Sequence, residues 1–563
     1  MSRARRGLVQ VLIPVTAVVL ALSGCSGGSG GGTDIKGAGE QTSGVNDVNA
    51  KDAASLRNGG DLRWPLDRLP SNFNRNHVDG TDGYAKRVMD ALMPHAFRAK
   101  ADNSVAVDTN YFESIELTSK DPQVVTYRIN PKASWDDGTP ITWKDLAAQA
   151  MTLAGRKDAF RVGSSSGYQE VEKVEKGAND REALVTFRSR YGEWRALFTD
   201  LYPKSTNEDP EVFNRGWVDR PQLTAGPFRV ESVDRVAKTM VLVRNDRWWG
   251  ARPRLDRIVF RAVDRGALPD ALANKEIDFY EIGSNVDLFQ RAKTIPDVQI
   301  RQALQPKYNV TLFNGAQGAV LADPALRVAV QHGINREVVT RAMLGQIQPA
   351  AKPLGNHVFA DGTRNYRDNS GAASFDPERA RRELDGLGWR LEGDVRRKDG
   401  RELAVRFVMS ANVPFNEQVS KLYQDQLRQI GVKLVIQPVP SSEFMKNHLA
   451  VGDFDIAPIA WESSPFPIDG NAAVYRLKPD SVQQNYGRVG NDTINGLFDE
   501  AGAELDDARR ADLANRIDEE VWKIGHSVPL YQVPDAVAAR SALANVGAFG
   551  FADRDYAAMG FTG

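Results

Sequence analysis

Leu403-Ala404-Val405-Arg406-Phe407-Val408-Met409, a helix-period stretch over 416–430, Gly431, and Val432-Lys433-Leu434-Val435-Ile436-Gln437 decide the fold class. The two flanking runs are short and rich in β-branched and apolar residues, which predicts strands. Between them Val419, Leu422, Tyr423, Leu427 and Ile430 recur at three- and four-residue spacing, the period of an amphipathic helix with its apolar face turned inward. Strand, helix and strand again is the unit of an α/β lobe.

The alternation extends outward from this unit. Met240–Arg244, Arg257–Val263 and Phe454–Ala460 also read as strands. Thr142-Trp143-Lys144-Asp145 has the outline of a capping box, opening an Ala/Leu-rich helix to about Leu153 before Gly155 ends it. Asp323-Pro324 and Asp376-Pro377 each place a capping carboxylate before a first-turn proline, and Gly388 sits where the second of those helices should stop. No internal repeat is present.

With 563 residues, 42% of them hydrophobic, the chain has material for a large core and for two to four domains. The formal charge is −1, and −4 once Arg3, Arg5 and Arg6 are removed with a leader, so there is no basic field to hold nucleic acid. Cys25 is the only cysteine. It ends Leu22-Ser23-Gly24-Cys25, behind a basic start and an apolar run from Leu8 to Leu22 that Pro14 interrupts. That run is shorter than the roughly 20 residues a transmembrane helix needs, so residues 1–24 read as a removed export signal. The motif resembles a bacterial lipobox, which implies a diacylglycerol on Cys25 and an anchor at the extracytoplasmic face of the cell membrane. Residues 25–57, rich in Gly, Ser, Asp and Asn, read as a disordered tether.

Several chemistries are excluded. There is no Gly-Lys dipeptide and hence no P-loop, and the six histidines are scattered without zinc-ligand spacing. Gly163-Ser164-Ser165-Ser166-Gly167 matches the pattern of a nucleophile elbow at Ser165, but charged residues flank it where a buried strand and a helix are required, which predicts a surface loop. No catalytic residue, cofactor or metal is expected.

Five further segments carry a resemblance. They are Trp135-Asp136-Asp137-Gly138-Thr139-Pro140, Thr224-Ala225-Gly226-Pro227-Phe228, Val243-Arg244-Asn245-Asp246-Arg247-Trp248-Trp249-Gly250, Pro253-Arg254-Leu255-Asp256-Arg257-Ile258 with Ile277-Asp278-Phe279, and Leu326-Arg327-Val328-Ala329-Val330 with Ile334-Asn335-Arg336-Glu337. Together with Asp376–Trp389 and Pro529-Leu530-Tyr531 they resemble, in order, the family 5 extracellular solute-binding proteins, the receptors of peptide, nickel and opine ABC importers. The resemblance implies a type II periplasmic-binding-protein fold. Lobe I would comprise 58–84, 216–305 and 528–563, with an extra domain inserted at 85–215, and lobe II would comprise 306–527. Crossovers would lie near 304–312 and 523–532, where Gln305-Pro306-Lys307-Tyr308-Asn309 and Lys523-Ile524-Gly525-His526 read as turn-prone hinge pieces. It further implies a monomer without catalysis that captures a peptide or other small molecule by hinge closure and hands it to permease and ATPase subunits.

The ligand site is read from Trp461-Glu462-Ser463-Ser464-Pro465-Phe466-Pro467. In peptide-binding relatives an aspartate that pairs with the peptide ammonium falls where Ser464 stands here, and a hydroxyl cannot supply that charge-assisted bond. The variant is similar to the LpqW-type lipoproteins of actinobacteria, which implies an alternative role in envelope glycolipid assembly. The candidate ligand contacts are Trp461, Glu462, Ser463, Ser464, Phe466 and Asn314. Trp461 reads equally as packing, the serines equally as caps of the next turn, and Asn314 equally as a backbone-satisfying side chain; Trp248 and Trp249 are assigned to packing.

Overall fold

The computed structural model describes residues 46–563; Cys25, the leader 1–24 and the front of the tether lie outside them. Lys433–Val439 pairs in parallel with Ala404–Ser410, and the helix Pro414–Arg428 that joins them buries Val419, Tyr423 and Leu427 against Phe407. Parallel neighbours need such a crossover, and the apolar stripe gives the helix its inner face. Leu422 is only partly buried on the flank of that cluster.

These two strands end a six-stranded sheet whose order is Phe279–Glu281, Ser527–Arg540, Val298–Phe313, Ile456–Glu462, Ala404–Ser410 and Lys433–Val439. A four-stranded sheet pairs Asp61–Leu66 in parallel with Arg257–Ala262, which continues through Thr239–Arg244 to Phe228–Asp234. Another four-stranded sheet runs from Phe112–Lys120 through Gln123–Ile129 and Glu182–Phe187 to Val171–Lys176. One apolar cluster joins these two smaller sheets, from Trp64 and Phe260 to Tyr127 and Trp135. A separate one surrounds the Leu403–Gln437 unit.

The capping signals are used as read. Thr142 and Asp145 form a reciprocal capping box on Trp143–Leu153, and Gly155 follows at φ +70°. Asp323 accepts from the Ala325 N–H, and Asp376 from the Arg379 N–H. The matched motifs meet in space: Thr224 donates to the Asp136 carboxylate at 2.8 Å, Arg247 to the Asp136 carbonyl at 2.8 Å, and Asn245 to the Gly226 carbonyl at 2.9 Å. At Gly226 a Cβ would stand 2.3 Å from the Ala91 carbonyl oxygen, so only glycine fits that crossing. Trp248 and Trp249 pack on Tyr111, as assigned.

Two expectations are corrected. Gln305–Asn309 is not a turn but the middle of the 16-residue strand Val298–Phe313. Its pairing with Ser527–Arg540 breaks between Leu304 and Tyr308, where residues 305–307 face only Val533. Pro306 is tolerated there because the break removes the ladder bond it cannot make, and Pro534, opposite Leu304, is the last paired residue before it. Gln305 donates to the Pro534 carbonyl and Gln532 to the Gln305 carbonyl, each at 2.9 Å, replacing ladder bonds there. Residues 47–57, read as tether, belong to the body. Asp47 bridges to Ala548, Lys51 donates to the Asn545 side chain, and Leu56 is buried.

Candidate functional site

The broken strand pair forms one wall of a cavity of about 630 Å3, within the 300–1,000 Å3 typical of small-ligand sites. Trp64 and Asp67 at the end of Asp61–Leu66, Tyr84 and Arg87 of the helix Gly83–Met89, and the segment Phe549–Arg554 form the rest. Five cations (Lys86, Arg87, Arg265, Lys307, Arg554) and five carboxylates (Asp67, Glu281, Glu462, Asp535, Asp553) line it, so the cavity has no net charge. Such balance suits a dipolar ligand and disfavours a polyanion or a bare cation.

Of the six residues singled out, Glu462 reaches this cavity from the end of Ile456–Glu462, opposite Lys307 on the paired strand. Phe466 lines a second cavity of about 300 Å3 with Glu193, Arg195, Phe359 and Arg510. Trp461 lines neither: its ring stacks on Tyr486 at 6.3 Å and its buried Nε1 has no partner. Ser463 is held by its own N–H on the Pro306 carbonyl, and the Ser464 hydroxyl is spent on the Phe466 backbone. Asn314 is buried, donates to the Gly452 and Phe454 carbonyls and accepts from the Ala316 N–H. Residues 462–466 thus separate two cavities, with one reading residue facing each.

Across the second cavity, residues 191–195 grip the helix Pro467–Tyr475. The Glu193 carboxylate accepts from the Ile468 and Asp469 N–H groups at 2.8 and 3.0 Å, in the position of an N-terminal cap. Tyr191 donates to Asp469 at 2.5 Å, the Gly192 N–H to the Gly502 carbonyl at 2.7 Å, and Arg195 pairs with Asp507 at 3.2 Å. Burial, and then the charge of Asp469, push the Glu193 carboxyl up to about 7.

Asp90, His95 and Asp200 cluster closely enough to ligate a cation. Lys86 already holds Asp90 at 2.8 Å and Arg75 holds Asp200 at 3.0 Å, so two fixed cations occupy those carboxylates. Ser165 lies in a loop with no strand leading into it. No described helix is long and apolar enough to cross a membrane.

Residues 107–482 match the family of bacterial extracellular solute-binding proteins, family 5, middle region. The chain belongs to that family. It is 43% identical over 556 residues to the oligopeptide-binding protein OppA of Mycobacterium tuberculosis, covering 98% of this chain and 93% of that one. It is 26% identical over 414 residues to the probable monoacyl phosphatidylinositol tetramannoside-binding protein LpqW of the same species, 66% of this chain and 64% of that one. Among solved structures, the periplasmic EDTA-binding protein EppA superposes with a TM-score of 0.83 at 24% identity, over 93% of this chain and 99% of that one. The fold is therefore the type II periplasmic-binding-protein fold, and the relatives are binding proteins rather than enzymes.

The residues missed by sequence reading are Arg554, Asp535, Trp64 and Glu193. None belongs to a local motif, and each matters only because distant segments converge on it.

Proposed function

We propose that this family 5 protein is a lipid-anchored, monomeric receptor that captures a short peptide by hinge closure and delivers it to the permease and ATPase of an ABC importer. The supporting observation is the charge-balanced cavity set against the kink in the two long strands. Lobe I (58–84, 216–305 and 528–563, with 85–215 inserted) and lobe II (306–527) would rotate about the crossovers near 304–312 and 523–532. There, glutamine side chains replace a rigid ladder. The Glu193 contacts with Ile468 and Asp469 would close the far side of the cleft. A ligand touching both lobes shifts the ensemble toward closure by its differential affinity for the closed form. Cys25, acylated at the extracytoplasmic face, would keep the receptor beside its permease.

Peptide is preferred because the 43% relative is an oligopeptide-binding protein and matches nearly the whole chain. A role in envelope glycolipid assembly rests on Ser464 and on the 26% relative, which matches two thirds of it. Melting the purified chain with a pool of tri- to pentapeptides tests the peptide reading. A binder present at a hundred times its Kd stabilises by about 2.7 kcal/mol, a clear rise in Tm. A pool that leaves Tm unchanged, together with co-purification of envelope-assembly enzymes instead of a permease, would favour the glycolipid role.

A further inference from the structure

Six of the ten charges in the large cavity are neutralised by one another. Arg87 pairs with Glu281 at 2.7 Å, Lys86 with Asp553 at 3.3 Å, and Arg265 with Asp67 at 3.9 Å. Lys307 and Glu462 form no ion pair among the described residues, but both are exposed, where water satisfies them. Arg554 and Asp535 are different: both are partly buried, and neither forms an ion pair among the described residues.

The Arg554 guanidinium lies between the rings of Phe549 and Trp64, 5.0 and 5.8 Å from their centroids. Both rings stand within cation–π range of it and leave its Nη atoms open to the cavity. Its side chain makes no hydrogen bond to the protein, and Nε is buried without a partner. Asp535 projects from Ser527–Arg540 one residue beyond Pro534, at the kink, and accepts a single bond, from the Gly550 N–H at 2.9 Å. Burial pushes its carboxyl up to about 6, more than the Gly550 N–H and the Arg554 and Arg87 charges offset. Two opposite charges that line one cavity without closing on each other leave donor and acceptor capacity directed into it. A structural pair would have closed on itself.

We propose that Arg554 and Asp535 read the two charges of a zwitterionic short peptide, the guanidinium taking a carboxylate and the aspartate an ammonium. This rests on the peptide reading above and assigns the polarity of that ligand within the cleft. The planar guanidinium presents two parallel N–H groups, the geometry that fits a carboxylate edge-on. The carboxylate has two sources, a free C-terminus or an acidic side chain, and both present the same chemistry to Arg554.

Calorimetric titration of the full chain with tri-, tetra- and pentaalanine, their C-terminal amides and their N-acetylated forms tests the assignment. In the natural chain amidation and acetylation are each expected to weaken binding roughly ten- to a hundredfold, the range for hydrogen bonds to charged groups. Arg554→Gln should weaken the free acid by a similar factor and abolish the preference for acid over amide. Asp535→Asn should do the same for free amine over acetyl. An amidated peptide with one internal glutamate that regains affinity assigns the carboxylate to a side chain. Circular dichroism checks folding, and Arg554→Lys, which keeps the charge without the fork, should fall between. Equal affinity of acid and amide for the natural chain, or a preference that survives Arg554→Gln, overturns the assignment while leaving peptide binding intact. Failure of every peptide to bind the natural chain overturns both.

Discussion

Asp518→Ala is expected to destabilise the chain by about 3–5 kcal/mol, the cost of removing a buried carboxylate that three hydrogen-bonding groups share. Asp518 and His357 are both inaccessible to solvent. One Asp518 oxygen accepts from the His357 N–H and faces its Nδ1, each at 2.7 Å, and the other accepts from Asn369 at 2.7 Å. Alanine leaves these groups without an acceptor in a place water does not reach, and each unsatisfied group adds about 1–3 kcal/mol. The His357 ring also packs on Trp522 at 4.4 Å, and its Nε2 faces the Ser527 carbonyl at 3.1 Å, where Ser527–Arg540 begins. The pair thus anchors one of the two long strands to the helix Asp507–Lys523. Urea unfolding followed by tryptophan fluorescence measures the loss. A change below about 1 kcal/mol would mean that the cluster relaxes around the gap.

Acidification is expected to favour the closed form through Glu193. When residues 191–195 separate from the Pro467–Tyr475 helix, Glu193 returns to water and to an ordinary carboxyl pKa near 4.3. In contact it titrates near 7, because burial and the Asp469 carboxylate oppose its charge more than the two N–H groups favour it. The pKa is raised in the closed form, so the stabilisation of closure is fully present below the open-state value. It is lost as pH rises through about 7, with a magnitude on the order of 3 kcal/mol. The Asp469 carboxyl is raised too, by its own burial, and acts in the same direction. The fraction of closed chain, read by fluorescence energy transfer between labels on 85–215 and 306–527 without ligand, should increase from pH 8 to pH 5. Glu193→Gln should flatten that profile. A closed fraction independent of pH in the natural chain would remove Glu193 from the closure equilibrium.

What the sequence made legible was local. The Leu403–Gln437 unit, the Thr142–Asp145 capping box and the caps at Asp323 and Asp376 depend on residues a few positions apart, and each formed as read. The family motifs were legible as strings, yet their reason is spatial: Thr224 and Arg247 tie the Asp136 turn to the segments flanking Phe228–Arg244, and Asn245 ties the two ends of that hairpin together. The end of the tether was misplaced because Lys51 finds its partner at Asn545, 494 positions away, which composition cannot register. The kink was read as a turn because glutamine and proline are turn-prone, whereas the long strand absorbs them by breaking register at Leu304 and Tyr308. The site was half legible. Residues 462–466 do stand between the cavities, but Arg554 becomes notable only when Trp64 and Phe549 stand beside it, and Asp535 only when the Gly550 segment reaches the kink.

Small-angle X-ray scattering of the purified chain, without ligand and with saturating oligopeptide, tests hinge-driven capture most directly. A receptor that closes about the crossovers near 304–312 and 523–532 gives a smaller radius of gyration with peptide and a curve matching the compact form in which Glu193 caps Pro467–Tyr475. Superimposable curves at concentrations where calorimetry shows bound peptide would contradict closure as the mechanism of capture.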